Sequence, residues 1–263
     1  MNREPRPAYP TDLSDAQWDL IKEIVAAPPP GPQPVVYSRR EIINAILYVN
    51  RTGCQWRMLP HDLPPYRSVF HFFTLWKRDG TLQEIHDALR KRVRQEAGRA
   101  ADPTGAILDS QSVKTTEEGG ERGFDAGKKV KGRKRHVIVD TIGMVLAVIV
   151  TAACVQDRDG AWPILRELGR EHPSVQVVWV DSAYAGALLE GVKANLGIDL
   201  VVVKRPDISR GFIPVSWRWI GERTFGWLNR CRRLSKAYER YTDTDKAMLH
   251  VGMIGLMLRR LSR

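Results

Sequence analysis

The sequence predicts an α/β protein: a mixed β-sheet flanked by helices, preceded by a small all-α, helix-turn-helix-like domain. Two patterns predict it. Residues 1–100 carry apolar positions at helical spacing between capping residues, and residues 101–263 alternate short β-rich runs with helical stretches. Size and composition agree, since 263 residues with 43% hydrophobic and 27% charged side chains can bury a core without disulfides and exclude a wholly disordered chain.

The elements follow in order. Ser14-Asp15-Ala16-Gln17 is a capping box ahead of Trp18, Leu20, Ile21, Ile24 and Val25. Pro28-Pro29-Pro30-Gly31-Pro32 ends that helix as a stiff linker. A second capping box, Ser38-Arg39-Arg40-Glu41, opens a helix carrying Ile42, Ile43, Ile46, Leu47 and Val49 that Gly53 closes. A third helix spans about 67–78, stops at Asp79-Gly80, and is followed by a charged fourth over about 81–96. Strands are expected at Ala106-Ile107-Leu108, ending on Asp109, at Val137 to Asp140, and at Val145 to Val150. Further strands are Val175 to Val180, ending on Asp181, and Leu200 to Val203. Helices are expected over 160–171, 184–196, 217–236 and 243–261. Three strands, helix, strand, helix, strand, helix is the order of a ribonuclease-H-like sheet.

Lys and Arg number 41 against 30 Asp and Glu, a net charge of +11 with a pI near 9.8, which favours a polyanionic partner, nucleic acid before membrane. Cys54, Cys154 and Cys231 stand far apart, so neither a zinc ribbon nor a disulfide framework is indicated. The first residues carry no apolar signal segment, and the run Ala247 to Leu258 is too short to span a bilayer. A cytoplasmic protein is the expectation.

Strands that neighbour each other bring Asp109 and Asp181 to one sheet edge. On a helical wheel, Trp217, Ile220, Thr224, Trp227, Leu228, Cys231, Leu234 and Tyr238 share one face. Glu222 lies opposite, in a column with Arg218, Gly226, Asn229 and Arg233. Three carboxylates suit two Mg²⁺ or Mn²⁺ ions roughly 3.5–4 Å apart, which activate a water and stabilise the leaving oxygen when a phosphodiester is cut. Taken singly, a strand-end Asp is more often a turn residue and a helical Glu a solvated one, so the reading rests on the three together.

Lys128, Lys129, Lys131, Arg133, Lys134 and Arg135 form the densest basic run and are expected to bind the DNA backbone, against the alternative of a solvated hairpin tip. Arg218, Arg223, Arg230 and Arg233 make a second DNA-binding candidate. Arg39 and Arg40 start the second helix and Arg67 the third, either of which could be a recognition helix. Asp157 and Asp159 read as helix caps, with an accessory role near the cleft as the other reading. His136 reads as a strand residue, and Trp56 and Trp76 as core.

The segment Ile107-Leu108-Asp109-Ser110-Gln111-Ser112-Val113-Lys114 resembles the first-aspartate segment of bacterial insertion-sequence transposases with a DDE triad. Gly127 to His136 is similar to the basic stretch after it, Val178 to Gly186 to the second-aspartate segment, and Trp219 to Leu228 to the segment around the glutamate. Trp56-Arg57-Met58-Leu59-Pro60 and Trp76 resemble the helical domain that precedes the catalytic domain in this family. The resemblance implies catalytic and metal-binding roles for Asp109, Asp181 and Glu222, two Mg²⁺ or Mn²⁺ ions per site, and phosphoryl transfer without a covalent protein intermediate. It also implies terminal inverted repeats and target DNA as partners, a homodimer or larger synaptic assembly, and a nucleoid-associated location. Of the Tyr-x2-Arg-x3-Glu-x6-Lys signature of related elements, Arg218 and Glu222 fit, whereas Val215 and Asn229 stand at the outer positions. An inactive DNA-binding copy acting as a repressor and a stand-alone nuclease of the same fold are the rival readings.

Overall fold

In the computed structural model, which describes residues 6–25, 37–203 and 217–262, helices come first. They are α1 (Asp15–Asp19), α2 (Arg39–Thr52), α3 (Tyr66–Arg78) and α4 (Thr81–Glu96). The Ser14–Gln17 capping box is formed in both directions; at α2, Ser38 caps the Glu41 amide and Gly53 ends the helix at φ 75°. The Pro28–Pro32 linker and Val215 lie outside the described residues.

The remainder folds as β1 (Gly105–Lys114), β2 (Gly123–Asp125), β3 (Val130–Asp140), β4 (Val145–Ala152), α5 (Asp157–Glu171), β5 (Val177–Val180), α6 (Ala187–Leu196), β6 (Asp199–Val202), α7 (Arg218–Leu228) and α8 (Thr242–Leu261). Strand order is β2-β3-β1-β5-β6, with β4 also on β3. β3 is antiparallel to β1, β2 and β4, while β5 is parallel to both β1 and β6. This is the mixed, ribonuclease-H-like sheet the sequence predicts.

Four expectations change. The first helix, expected to run through Ile24 and Val25, is only the short α1, which ends at Asp19 and passes into turns over 20–25. β1 does not end on Asp109, because β3 pairs with it from Ala106↔Asp140 to Lys114↔Gly132. From Lys131 onward the basic run is therefore strand, with Lys128 and Lys129 in the turn before it, and β3 begins at Val130, not Val137. The helix expected over 217–236 stops at Leu228. Two buried arginines of β3 account for this. Arg135 donates to the carbonyls of Leu234 and Lys236, and Arg133 to those of Glu239 and Arg240, at 2.6–3.2 Å. These carbonyls are drawn towards side chains, and the chain turns back to bridge Ala237 with Thr115.

Alternation along the strands divides the core between two faces. Ala106, Leu108, Val178 and Val180 pack with Ile164, Leu165 and Leu168 of α5 and with Leu188 and Val192 of α6. Ile107, Val137 and Val139 join α7, α8 and the N-terminal helices in the other cluster. The change near residue 100 is thus one of secondary structure, not a break in packing: Asn50 of α2 donates to the Met248 carbonyl of α8 at 3.0 Å. Among the described residues no helix is long and apolar enough to cross a membrane.

Arg135 also meets Asp245 at 3.0 Å, both side chains being buried. Arg135→Ala leaves that carboxylate with only the more distant Arg133 and two carbonyls without their donor. Urea denaturation is expected to show a loss of about 3–5 kcal/mol; a loss below about 1 kcal/mol contradicts the tie.

Candidate active site

The parallel register of β1 on β5 runs from Gly105↔Val177 to Ile107↔Trp179. Carried on by two residues, it sets Asp109 level with Asp181 and on the same face of the sheet as Ile107 and Trp179. Asp181 follows the last residue of β5 and caps a 3₁₀ turn at Ser182–Tyr184, accepting the Ala183 amide at 2.8 Å. Asp109 accepts the Ser110 amide at 2.7 Å.

Helix α7 lies over this face. Ile220, Thr224 and Leu228 are buried and Glu222 is exposed, as the helical wheel predicts; Phe225 is buried as well, whereas Trp217, expected on the apolar face, is exposed. A Cβ on Gly221 would stand 2.8 Å from Asp109 Oδ2, so glycine lets the helix approach the carboxylate. Glu222 is the next residue. At the start of α7, Trp217 stacks on Trp179 with ring centroids 4.5 Å apart.

Burial pushes the Asp109 carboxyl up to about 6, and the charges of Asp181 and Glu222 push the same way against the Ser110 amide and Lys128. The three acids therefore share one electrostatic neighbourhood. Among the described residues no three His, Cys, Asp or Glu side chains form a ready-made metal cage. The donor set is nonetheless all hard oxygen, and a divalent cation would relieve the repulsion that raises Asp109, so these residues fit Mg²⁺ or Mn²⁺. Nearby, the Tyr184 side chain is buried, and burial together with Asp157, Asp109 and Asp181 pushes its pKa well up.

The basic candidates separate sharply. Arg133, Lys134 and Arg135 are 0%, 5% and 0% exposed and are spent on internal carbonyls and carboxylates, which removes them from the DNA-facing surface. Arg233 is buried too, 2.7 Å from Glu239. Lys128, Lys129, Lys131 and Arg230 are exposed. Arg223 is half-buried between the rings of Trp219 and Trp227, at 4.3 and 4.6 Å from their centroids. Arg218 begins α7, but its side chain lies outside the described residues. Arg40 pairs with Asp15 at 2.6 Å, and Arg39 covers the Phe72 ring at 3.9 Å. His136 is a buried strand residue; Trp76 is buried, whereas Trp56 is partly exposed and edges onto Phe70.

Asp157 does not cap α5. Gln156 holds the cap position with no side-chain bond, and Asp157 reaches Ser110 and Lys134 at 2.9 Å each. Sequence reasoning missed Gly221, although a glycine beside the helical acid was a readable signal for close approach. It also missed Asp125 and Ser112, whose bond at 2.6 Å joins two strands and leaves no local pattern.

A family model described as the transposase DDE domain matches residues 100–257, and one for assigned transposases of the IS4/5 family matches residues 13–86. A Burkholderia cepacia protein assigned as the transposase of insertion sequence element IS402 is 33% identical over 128 residues, which cover 46% of this chain and 60% of the relative. An uncharacterised Sinorhizobium fredii protein is 30% identical over 39% of this chain and 75% of its own length. An uncharacterised 16.2 kDa protein of IS402, also from Burkholderia cepacia, is 28% identical over 42% of this chain and 78% of its own length. With the domain match spanning most of the chain, the chain belongs to the transposase DDE-domain family, and its N-terminal helical region matches the IS4/5 model.

Proposed function

We propose that this protein cleaves the ends of an insertion sequence and joins them to target DNA by metal-dependent phosphoryl transfer, with Asp109, Asp181 and Glu222 as its catalytic and metal-binding carboxylates. The observation that carries the reading is the placing of Asp109: level with Asp181, under Gly221, and with its carboxyl raised by burial, to which both other acids add. Two Mg²⁺ or Mn²⁺ ions bound there supply an activated attacking oxygen and a stabilised leaving oxygen.

The chain's own residues do the rest. Asp109 sits on a strand paired to β3 along its length, so its carboxylate is the rigid centre of the site. Asp181 is oriented by the Ala183 amide, and Glu222 comes from a helix whose distance to the sheet Gly221 sets. Lys129, Lys131 and Arg230, exposed, hold DNA phosphates and make binding salt-dependent. In the helical region α3 is the better recognition element, since α2 is buried from Ile42 to Leu47 whereas Arg67, His71, Thr74 and Arg78 line an exposed stripe of α3. Two ends are processed together in a homodimer or larger assembly.

The test is cleavage and strand transfer by purified protein with Mg²⁺ and a supercoiled plasmid carrying the DNA that flanks the gene. Cleavage without joining favours the stand-alone nuclease, and binding without cleavage the repressor. Asp109→Asn is expected to lower cleavage by at least about a hundredfold. The same change should stabilise the metal-free protein. In the folded chain Asp109 keeps its proton to about 6, above the ordinary 3.8, so the native state binds more protons than the unfolded state in that window. Stability therefore falls as pH rises through it and stays lowered above it. Near neutral pH the variant is expected to gain roughly 1–3 kcal/mol, a gain that fades towards about pH 4. Urea melts across pH check this; equal stability at neutral pH refutes a buried, raised Asp109 carboxyl.

Gly221→Ala separates fold from chemistry. The helix preference of alanine over glycine, about 0.5–1 kcal/mol, is set against a methyl standing 2.8 Å from Asp109 Oδ2 and 2.9 Å from its Cβ, so the variant should fold with an unfolding midpoint at or a little below the parent's. The added methyl pushes α7 off Asp109, and cleavage is expected to drop about tenfold or more. Unchanged cleavage rates would show that the close approach is dispensable.

A further inference from the structure

We propose that Asp157 is a positioning residue that, through Ser110 and Lys134, holds the Lys128 ammonium fixed beside Asp109, building one cation into the carboxylate site. The proposal rests on the phosphoryl-transfer reading above. It begins with Ser110, the neighbour of Asp109 on β1, whose side chain points to the opposite face of the sheet. The Ser110 hydroxyl donates to Asp157 Oδ1 at 2.9 Å. Lys128 Nζ donates to the same hydroxyl at 3.1 Å and to the Ser110 carbonyl at 3.0 Å. Ser110 thus bridges an anion on α5 and a cation on the β2–β3 turn, one residue from Asp109.

Lys134 makes the bridge rigid. It is 5% exposed, and its ammonium lies 2.9 Å from Asp157 and 3.4 Å from Asp125 while donating to the Val155 carbonyl at 2.8 Å. Asp125 in turn accepts the Ser112 hydroxyl at 2.6 Å and the Lys128 amide at 3.0 Å. Both ends of the Lys128 residue, backbone and ammonium, are therefore tied into one network spanning α5, β1, β2 and β3. The arrangement is charge-balanced: two carboxylates, Asp157 and Asp125, against two ammonium groups, Lys134 and Lys128. Asp157 is available because α5 does not use it as a cap.

This separates Lys128 from its neighbours in the same basic run. All three are exposed, but Lys129 and Lys131 suit phosphates along the DNA, whereas the Lys128 ammonium is tied to Ser110. Lys128 is held before DNA arrives, so it can oppose charge that develops on a phosphate seated over Asp109 without first being ordered. A flexible cation contributes to binding; a pre-placed one contributes to the rate.

The test uses the full chain, Mg²⁺ and supercoiled plasmid DNA, with kcat and KM for nicking, urea unfolding, and hydrogen–deuterium exchange of residues 125–131. Asp157→Asn and Lys128→Gln are each expected to lower kcat about tenfold with KM within about twofold and little change in the urea midpoint. Lys131→Gln should instead raise KM and weaken its salt dependence. Asp157→Asn should quicken exchange of the β2–β3 turn alone, Asp157→Glu should recover part of kcat, and the double variant should fall no further than the worse single. The proposal is overturned if the losses follow the urea midpoint, if Lys128→Gln alters KM as Lys131→Gln does, or if exchange of the turn is unchanged. Nicking that survives Asp109→Asn overturns the phosphoryl-transfer reading itself, whereas nicking lost in Asp109→Asn but intact in Asp157→Asn removes only this inference.

Discussion

The short parallel ladder between β1 and β5 is the constraint on which the site depends. It sets two aspartates at one level, and two glycines convert that register into a three-dimensional site. The Trp179 ring fills the space where a side chain on Gly105 would stand, 2.8 Å from that Cβ position, and stacks in turn on Trp217 at the start of α7. One helical turn later Gly221 rests on Asp109. A ring at one end and an absent methyl at the other therefore fix the height of the helix that carries Glu222. A slip of one residue in the ladder would turn Asp109 to the α5 face and away from that helix.

Gathering like charges costs stability, and the fold offsets it elsewhere with buried opposite charges. Arg94 meets Asp140 at 2.8 Å with both side chains buried, and Asp140 also accepts the amides of Ile142 and Met144 that close the β3–β4 turn. Arg133 and Arg135 tie β3 to the chain around 234–240 and to Asp245 on α8. Six cations, Arg90, Arg94, Arg133, Lys134, Arg135 and Arg233, are thus interior, although four buried carboxylates, Asp125, Asp140, Glu239 and Asp245, balance most of that charge. The cations left to meet DNA are fewer than the composition suggests, which makes the placing of each exposed one matter more.

What the sequence made legible follows from which interactions are local. Capping boxes, the Gly53 stop and the third and fourth helices were readable because each is decided within a turn or two of chain. The three acids stand in the elements the sequence predicts for them, on β1, just after β5 and on α7, because each lies in a segment with a strong local pattern. The length of β1, the start of β3 and the end of α7 were not, because partners far along the chain decide them: β3 extends β1 past Asp109, and its arginines take carbonyls beyond Leu228. A run of six basic residues reads as surface by composition. Its alternation in a strand and its distant carboxylate partners put Arg133, Lys134 and Arg135 inside.

The same distinction bears on how the helical region and the catalytic sheet work together. Helix α8 is buried around most of its circumference, from Thr244 to Leu258, which only a helix packed on several sides can be. One side meets α2 and α4; another lies on the face of the sheet that carries Asp109. Between α4 and α8 the rings of His86 and His250 lie 5.0 Å apart, and burial holds His250 uncharged by pushing its pKa well down. No solvated linker separates these layers within the described core. On the function proposed above, an element end gripped by α3 would be held by the same packed body that carries the carboxylates, its distance from them set by side-chain packing and not by the reach of a flexible tether.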